Sequence, residues 1–226
     1  MRFALILLLL SVASVEARDP NLIGARVKSD SWRILRKKDR VEIFEGDVRY
    51  IKPERVLRAD WARFNHGTGL FEARGHVRGR QRYQDGAWLE ITGHSASHNK
   101  NTGKGELRPK KKNGRVTATL ETGKGSAHLL RWNQLKETAV LEGDVDFKEE
   151  RGTVRAERAD YTHSTRSLVL TGRRPVVTGH QPGWSSAVQA DIITATDLKS
   201  GRRRVSGKGR AQGWILFDGP DRRQYH

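Results

Sequence analysis

The 226-residue sequence has no cysteine, so no disulfide framework or thiol chemistry is available and the core alone must hold the fold. It also has no long apolar run. The longest, Phe3 to Val15, is 13 residues with two serines in it, whereas a helix needs about 20 to cross a bilayer. Nowhere are apolar residues sustained at i, i+3, i+4 and i+7, which predicts almost no helix. Acidic residues are in short supply, with 26 Asp and Glu against 43 Lys and Arg and a net charge of +17. Such an excess points to anionic partners: nucleic acid, an anionic membrane or acidic glycans.

What is present begins with an export signal. Met1-Arg2 is a positive start, Phe3 to Leu10 an apolar core and Val15-Glu16-Ala17 a small-x-small site, the pattern of a cleavable secretory peptide. Cleavage is expected after Ala17, with 18–217 forming one domain and 218–226 a polar tail. The shortness of the apolar run disfavours the alternative, an uncleaved membrane anchor. Export argues against nucleic acid and leaves membranes and glycans as partners.

Past the signal the chain repeats itself. Ala139 to Val177 reads as an alternating run through Gly143 and Val145, a turn, Ala159-x-Tyr161, a second turn at His163 to Arg166, and another alternating run ending in Gly172; Val41 to Val77 says nearly the same in the same order. Recurring alanines at 59, 96, 127, 159 and 190 are spaced 37, 31, 32 and 31 residues apart, and glycines at 46, 75, 114, 143 and 172 occupy a second recurring place. A period of this size marks stacked units. About five are expected.

The local period is two. Phe44, Gly46, Val48 and Tyr50 share one face against Ile43, Glu45, Asp47 and Arg49, as in a strand with one dry side. The same alternation places Leu57, Ala59 and Trp61 together, then Phe71, Ala73, Gly75 and Val77, then Ala139, Leu141, Gly143, Val145 and Phe147. His66-Gly67-Thr68-Gly69 reads as a hairpin turn. Gly79 to Arg115 is the least regular stretch, ending in an exposed turn at Arg108 to Arg115. Ser200 to Arg204 reads as a further turn, and Trp214 to Phe217 as the last strand.

Motifs that would carry catalysis or bind a metal or cofactor do not hold up. His94 and His98 would be roughly 13 Å apart on a strand, and their Gly-His-Ser-Ala-Ser-His-Asn-Lys surroundings read as a solvated loop. Ser97 to Lys100 spells S-x-x-K without the helix and partner motifs that pattern needs. Gly123 to Ser126 is too short to cradle phosphate. Asp60, Asp160 and Asp191 recur at equivalent places in the repeat, which suits a structural role better than a single catalytic pair. No cofactor is expected, and the chain is read as a non-enzyme.

Ser29-Asp30, Phe44-Glu45-Gly46-Asp47-Val48, Arg58-Ala59-Asp60, Gly125-Ser126-Ala127, Val140 to Val145 and Arg158-Ala159-Asp160-Tyr161 together resemble the OstA-like (LptA) family of the lipopolysaccharide transport system. The likeness runs well over Lys28 to Val177 and loosely over Ala187 to Phe217. It implies an all-β jellyroll, two antiparallel sheets folded into a trough in the periplasm that holds lipopolysaccharide (lipid A) acyl chains. It also implies inner-membrane-anchored and outer-membrane OstA-like partners joined by strand-edge addition, with a possible head-to-tail homo-oligomer. The inner face independently mixes Phe71, Leu141 and Leu170 with Ala59, Ala73, Ala127, Ala139, Ala159, Gly46, Gly75, Gly143 and Gly172, small residues that would leave a slot open; otherwise the glycines mark bulges in a packed sandwich. Phe44, Val48, Trp61, Phe71, Val77, Leu129, Leu141, Val145, Tyr161, Leu168, Leu170 and Ile192 are the expected lining. Lys110, Lys111, Lys112, Arg202, Arg203 and Arg204 are the expected anion contacts, for lipid A phosphates or the membrane face. The rival reading is a structural sandwich or solenoid that scaffolds envelope proteins or binds anionic glycan through its basic surface.

Overall fold

The computed structural model describes residues 26–36, 39–82, 87–121, 123–150, 152–197 and 203–217. The expected signal segment 1–17, Arg202 and the tail 218–226 lie outside the described residues. Those described form eighteen strands and no helix. In chain order they are β1 (Arg26–Lys28), β2 (Ser31–Arg36), β3 (Arg40–Lys52), β4 (Arg55–Asn65), β5 (Leu70–Arg82), β6 (Trp88–Asn99), β7 (Lys104–Arg108), β8 (Val116–Leu120) and β9 (Gly123–Ala127). They continue as β10 (Leu129–Asn133), β11 (Thr138–Glu149), β12 (Gly152–Thr162), β13 (Ser167–Thr171), β14 (Val176–Gln181), β15 (Trp184–Gln189), β16 (Ile192–Asp197), β17 (Arg203–Lys208) and β18 (Gln212–Phe217).

The turns have chemical causes. Asn65 Oδ1 accepts from Thr68 N at 3.0 Å, Asn99 Oδ1 from Thr102 N at 3.0 Å, and Asn133 Oδ1 from Lys136 N at 3.1 Å. Each is a side-chain-capped turn, and each closes one hairpin: β4 to β5, β6 to β7, β10 to β11.

Pairing is antiparallel throughout, and the long strands change partners halfway along. Residues 95–98 of β6 pair with β7 while 89–92 pair with β8; 138–142 of β11 pair with β10 while 146–149 pair with β9. β3 divides likewise between β2 and β1, and β12 between β13 and β14. The sheet therefore has two halves. One runs β2-β3-β4-β5-β6-β7-β10-β11-β12-β13-β16-β17, the other β1-β3-β4-β5-β6-β8-β9-β11-β12-β14-β15-β18. This is the expected all-β antiparallel jellyroll.

The line between the halves is a row of bulges. Register slips between Glu45 and Val48, Arg58 and Trp61, Arg74 and Val77, and Glu142 and Val145. Gly75 and His76 both lie in the left-handed region, at φ 74° and 45°, as do Gly143 and Asp144 at 79° and 51°. A Cβ at Gly75 would collide with the Asp60 carboxylate, and one at Gly143 would come within 2.7 Å of His128 Nδ1. So the glycines bend the strand and admit a partner's side chain. They do not vacate room between the sheets, which corrects that part of the small-residue argument.

Gly114 lies in a turn, the 109–115 connection that carries the chain from one half to the other, its N–H bonded to Lys111 O at 2.9 Å, and so does not share the place of Gly46, Gly75 and Gly143 in the strands. Three further expectations change. Asp60 and Asp191 sit on the fold line, 2.8 Å from His76 and Arg210, but Asp160 pairs with Arg158 at 2.6 Å away from it. Arg203 and Arg204 begin β17 rather than forming a turn. Residues 79–115 are mostly regular strand. Their alternation is obscured because the slip in β6 moves the inner face from Leu89, Ile91 and Gly93 to Ala96 and His98.

The inner faces of both halves meet in one core. Leu107, Leu130, Leu170 and Ile193 from the first pack with Leu89, Val116 and Phe147 from the second. The recurring alanines 59, 96, 127, 159 and 190 are all buried in it, small enough for the halves to close tightly where the sheet folds.

Candidate functional site

Towards the N-terminal end the inner side chains of the two halves stop short of one another and leave a cavity of about 270 Å³. Phe44, Ala62, Phe64, Phe71, Ala96 and His98 form one wall; Val48, Tyr50, Leu57, Val77, Gly79 and Ile91 form the other. Leu107 and Trp132, from the next strands along, lie at the deep end. β3 lines both walls by itself, because the bulge at Gly46-Asp47 inserts two residues and so preserves its alternation: Glu42 and Phe44 before, Val48, Tyr50 and Lys52 after.

Charge is confined to the lips, where strands turn. On one lip Glu42 Oε1 lies 2.9 Å from His66 Nε2 and 2.6 Å from Arg40 Nη2. Lys52, Arg55 and Arg80 stand on the other. Within, the polar pair is His98 and Trp132: the Trp132 Nε1–H donates to His98 Nδ1 at 3.2 Å, with the rings 6.1 Å apart. His98 is only 2% exposed, and burial holds its pKa below the usual imidazole value. It is thus a neutral core residue, not part of a solvated loop. An apolar channel with a cationic lip can hold an alkyl chain and leave an anionic head in water. Among the described residues, no three His, Cys, Asp or Glu side chains are placed to hold a metal ion.

The expected lining falls into three groups. Phe44, Val48, Phe71 and Val77 come together on the cavity. Leu141 and Val145 border a separate gap of about 20 Å³, room for about one water, while Tyr161, Leu168 and Leu170 are buried in the packed core. Trp61, Leu129 and Ile192 stand on the outer face. All three occupy one place in the repeat, two residues after Ala59, Ala127 and Ala190, where the alternation slips by one and turns Ala62, Leu130 and Ile193 inward instead. Trp61 is covered from outside by Arg74, its guanidinium 5.0 Å from the ring. Of the cavity residues not expected, Tyr50 and Leu57 share the alternation of Phe44 and Ala59 and were readable; Phe64 lies beyond the slip and was not.

The basic clusters do not converge. Lys110, Lys111 and Lys112 sit on the 109–115 connection at the fold line, and Arg203 and Arg204 enter β17 from the opposite margin. The last strand is the most exposed apolar element, with Trp214, Ile215, Leu216 and Phe217 at 51%, 64%, 69% and 75%.

No curated protein matches the chain. Among solved structures it is similar to LptH, described as the LptA homologous periplasmic component of the conserved lipopolysaccharide transport device from Pseudomonas aeruginosa. The identity is 16%, over 62% of this chain and 76% of that one, with a TM-score of 0.26. The family described as LptA/(LptD N-terminal domain) LPS transport protein matches residues 26–202. With its length matched from the first described strand almost to β17, the chain belongs to that family of lipopolysaccharide transport proteins.

Proposed function

We propose that this protein is a non-enzymatic periplasmic lipid carrier, exported by a signal peptide cleaved after Ala17, that takes acyl chains of lipopolysaccharide between its two half-sheets. In this reading it bridges inner and outer membranes during lipopolysaccharide export. The observation that carries the reading is the apolar cavity with charged lips in a member of this family. Each methylene withdrawn from water is worth about 0.8 kcal/mol, so a chain of about eleven methylenes gains about 9 kcal/mol, enough to offset the cost of leaving a membrane in part. Cationic Lys52, Arg55 and Arg80, and Arg203 and Arg204 on the far strand, are the groups proposed to meet lipid A phosphates. Lys110 to Lys112, on the fold-line side, are proposed to face an anionic membrane.

Among the described residues, both ends of the folded sheet are unpaired. Each half contains twelve described segments linked by antiparallel pairings, so its first and last strands run in opposite directions. The β17 and β18 edges of one copy can therefore continue the β2 and β1 edges of another, or of an OstA-like partner, without breaking the alternation. The test is lipid co-purification measured by mass spectrometry. Phe71→Asp places a carboxylate on the cavity wall and should lower bound lipopolysaccharide at least tenfold while the β-type circular dichroism is retained. Undiminished lipid on the folded variant would defeat the reading. Capture should change little between low and high salt, because surface charge is screened and burial is not; a steep fall with salt would favour anionic glycan binding.

A further inference from the structure

We infer that His98 is a specificity-determining residue of this cavity, its Nε2–H the donor that selects a lipid chain carrying a neutral oxygen acceptor, hydroxyl or carbonyl, over a plain alkyl chain. The inference rests on the cavity being a lipid site. Its argument begins with the proton. An indole N–H can only donate, so the 3.2 Å bond from Trp132 Nε1 requires His98 Nδ1 to be bare. Burial keeps the ring neutral, and a neutral imidazole carries one proton. That proton is on Nε2.

Nε2 has no hydrogen-bond partner among the described residues although it is fully buried, and His98 lies on the cavity wall. A buried donor left unpaired is costly, and native structures rarely tolerate one. Its neighbours on the inner face are Phe71, directly opposite in the β5–β6 pairing, Gly105, opposite in the β6–β7 pairing, and Ala96, two residues before it, none with a side-chain acceptor. A chain that enters the cavity and carries an acceptor would pair it. An ionised headgroup does not suit so dry a position; it belongs at the lips beside Lys52, Arg55 and Arg80. A neutral oxygen borne on the chain does suit. Trp132 is the positioning residue, holding the imidazole in the tautomer that presents the donor.

The experiment measures displacement of a fluorescent fatty-acid probe from the full chain by dodecanoate and by dodecanoates hydroxylated at C3 or C12. The wild type should bind the better hydroxylated chain about five- to tenfold more tightly than dodecanoate, the range expected of one buried hydrogen bond. His98→Phe should erase that ratio, so that the variant binds hydroxylated and plain chains alike, His98→Gln should restore part of it, and Trp132→Phe should reduce it. Nitrogen NMR of the wild type gives a reading that no variant's folding can spoil: an Nε2-protonated His98 whose resonance moves with the hydroxylated chain and stays put with dodecanoate. Dodecanoate bound with no preference, or an Nδ1-protonated ring, would overturn the role of His98 alone. Failure of every chain to displace the probe or bind would overturn the lipid site and His98 with it.

Discussion

At the scale of single residues, two kinds of position separate. Gly75 stands at φ 74° with the Asp60 carboxylate in the space of a side chain, so Gly75→Ala should cost at least about 1 to 2 kcal/mol in chemical denaturation. Gly213→Ala, where the nearest atom is Ala187 O at 3.9 Å, should stay within about 0.5 kcal/mol. Leu170 is wholly buried, so Leu170→Asp should destabilise the fold by at least about 3 kcal/mol; Phe71→Asp, facing open space, should leave it standing. His98 gives a pH signature. The unfolded chain protonates this side chain near its ordinary value of 6.5 while the folded chain, buried neutral, resists. Stability conferred by the depressed pKa is therefore complete above about pH 6.5 and declines as pH falls from there towards the folded value. The driving cause is burial rather than the charged groups sharing the cavity wall, Glu42, Lys52, Arg55, His66 and Arg80. Denaturation midpoints at pH 7.5 and 5 should diverge more in the wild type than in His98→Phe; equal divergence would show that His98 is not the buried titrating group.

At the scale of elements, period-two alternation was legible wherever a strand kept its parity. β3, β5 and β11 carry their extra residues as a Gly-x pair and keep it, so Phe44, Val48, Phe71 and Val77 stay on the inward face that their spacing assigns them. Elsewhere the inner face shifts by one, between Ala59 and Ala62 and again between Ala127 and Leu130 and between Ala190 and Ile193. Such a slip is set by the partner strand's register, which spacing within one strand does not carry. A signal that was present and unused is the asparagine row 65, 99, 133, at intervals of 34 residues, which marks equivalent turns on one margin. His98 was misread because its neighbours are small and polar, and only the fold brings Trp132 to it. β18 makes an element-scale prediction. Ile215→Lys with Phe217→Lys blunts an exposed apolar edge, and should weaken self-association by at least tenfold in sedimentation or light scattering with circular dichroism unchanged. Equal association by the double variant would place the contact elsewhere.

At the scale of the whole molecule, the trough is open at its N-terminal end and packed along the rest. The open part is bordered by Phe44, Tyr50, Phe64 and Phe71, large side chains that keep the halves apart, whereas Ala127, Ala159 and Ala190 are buried in the packed core farther along. About 270 Å³ lies just below the roughly 300–1,000 Å³ of pockets for small ligands, so it suits one chain rather than several. Cargo with several chains requires the packed stretch around Leu141, Val145 and Leu168 to part. Site-specific photo-crosslinking tests this account most directly, with a photoreactive residue placed in turn at Phe44, Phe71, Leu168, Trp61 and Leu129 and exposed to lipopolysaccharide. The account predicts strong crosslinks at 44 and 71, weaker ones at 168 and none above background at 61 and 129. Equal labelling at 61 and 71, or none at 44 and 71 in the folded protein, would contradict it.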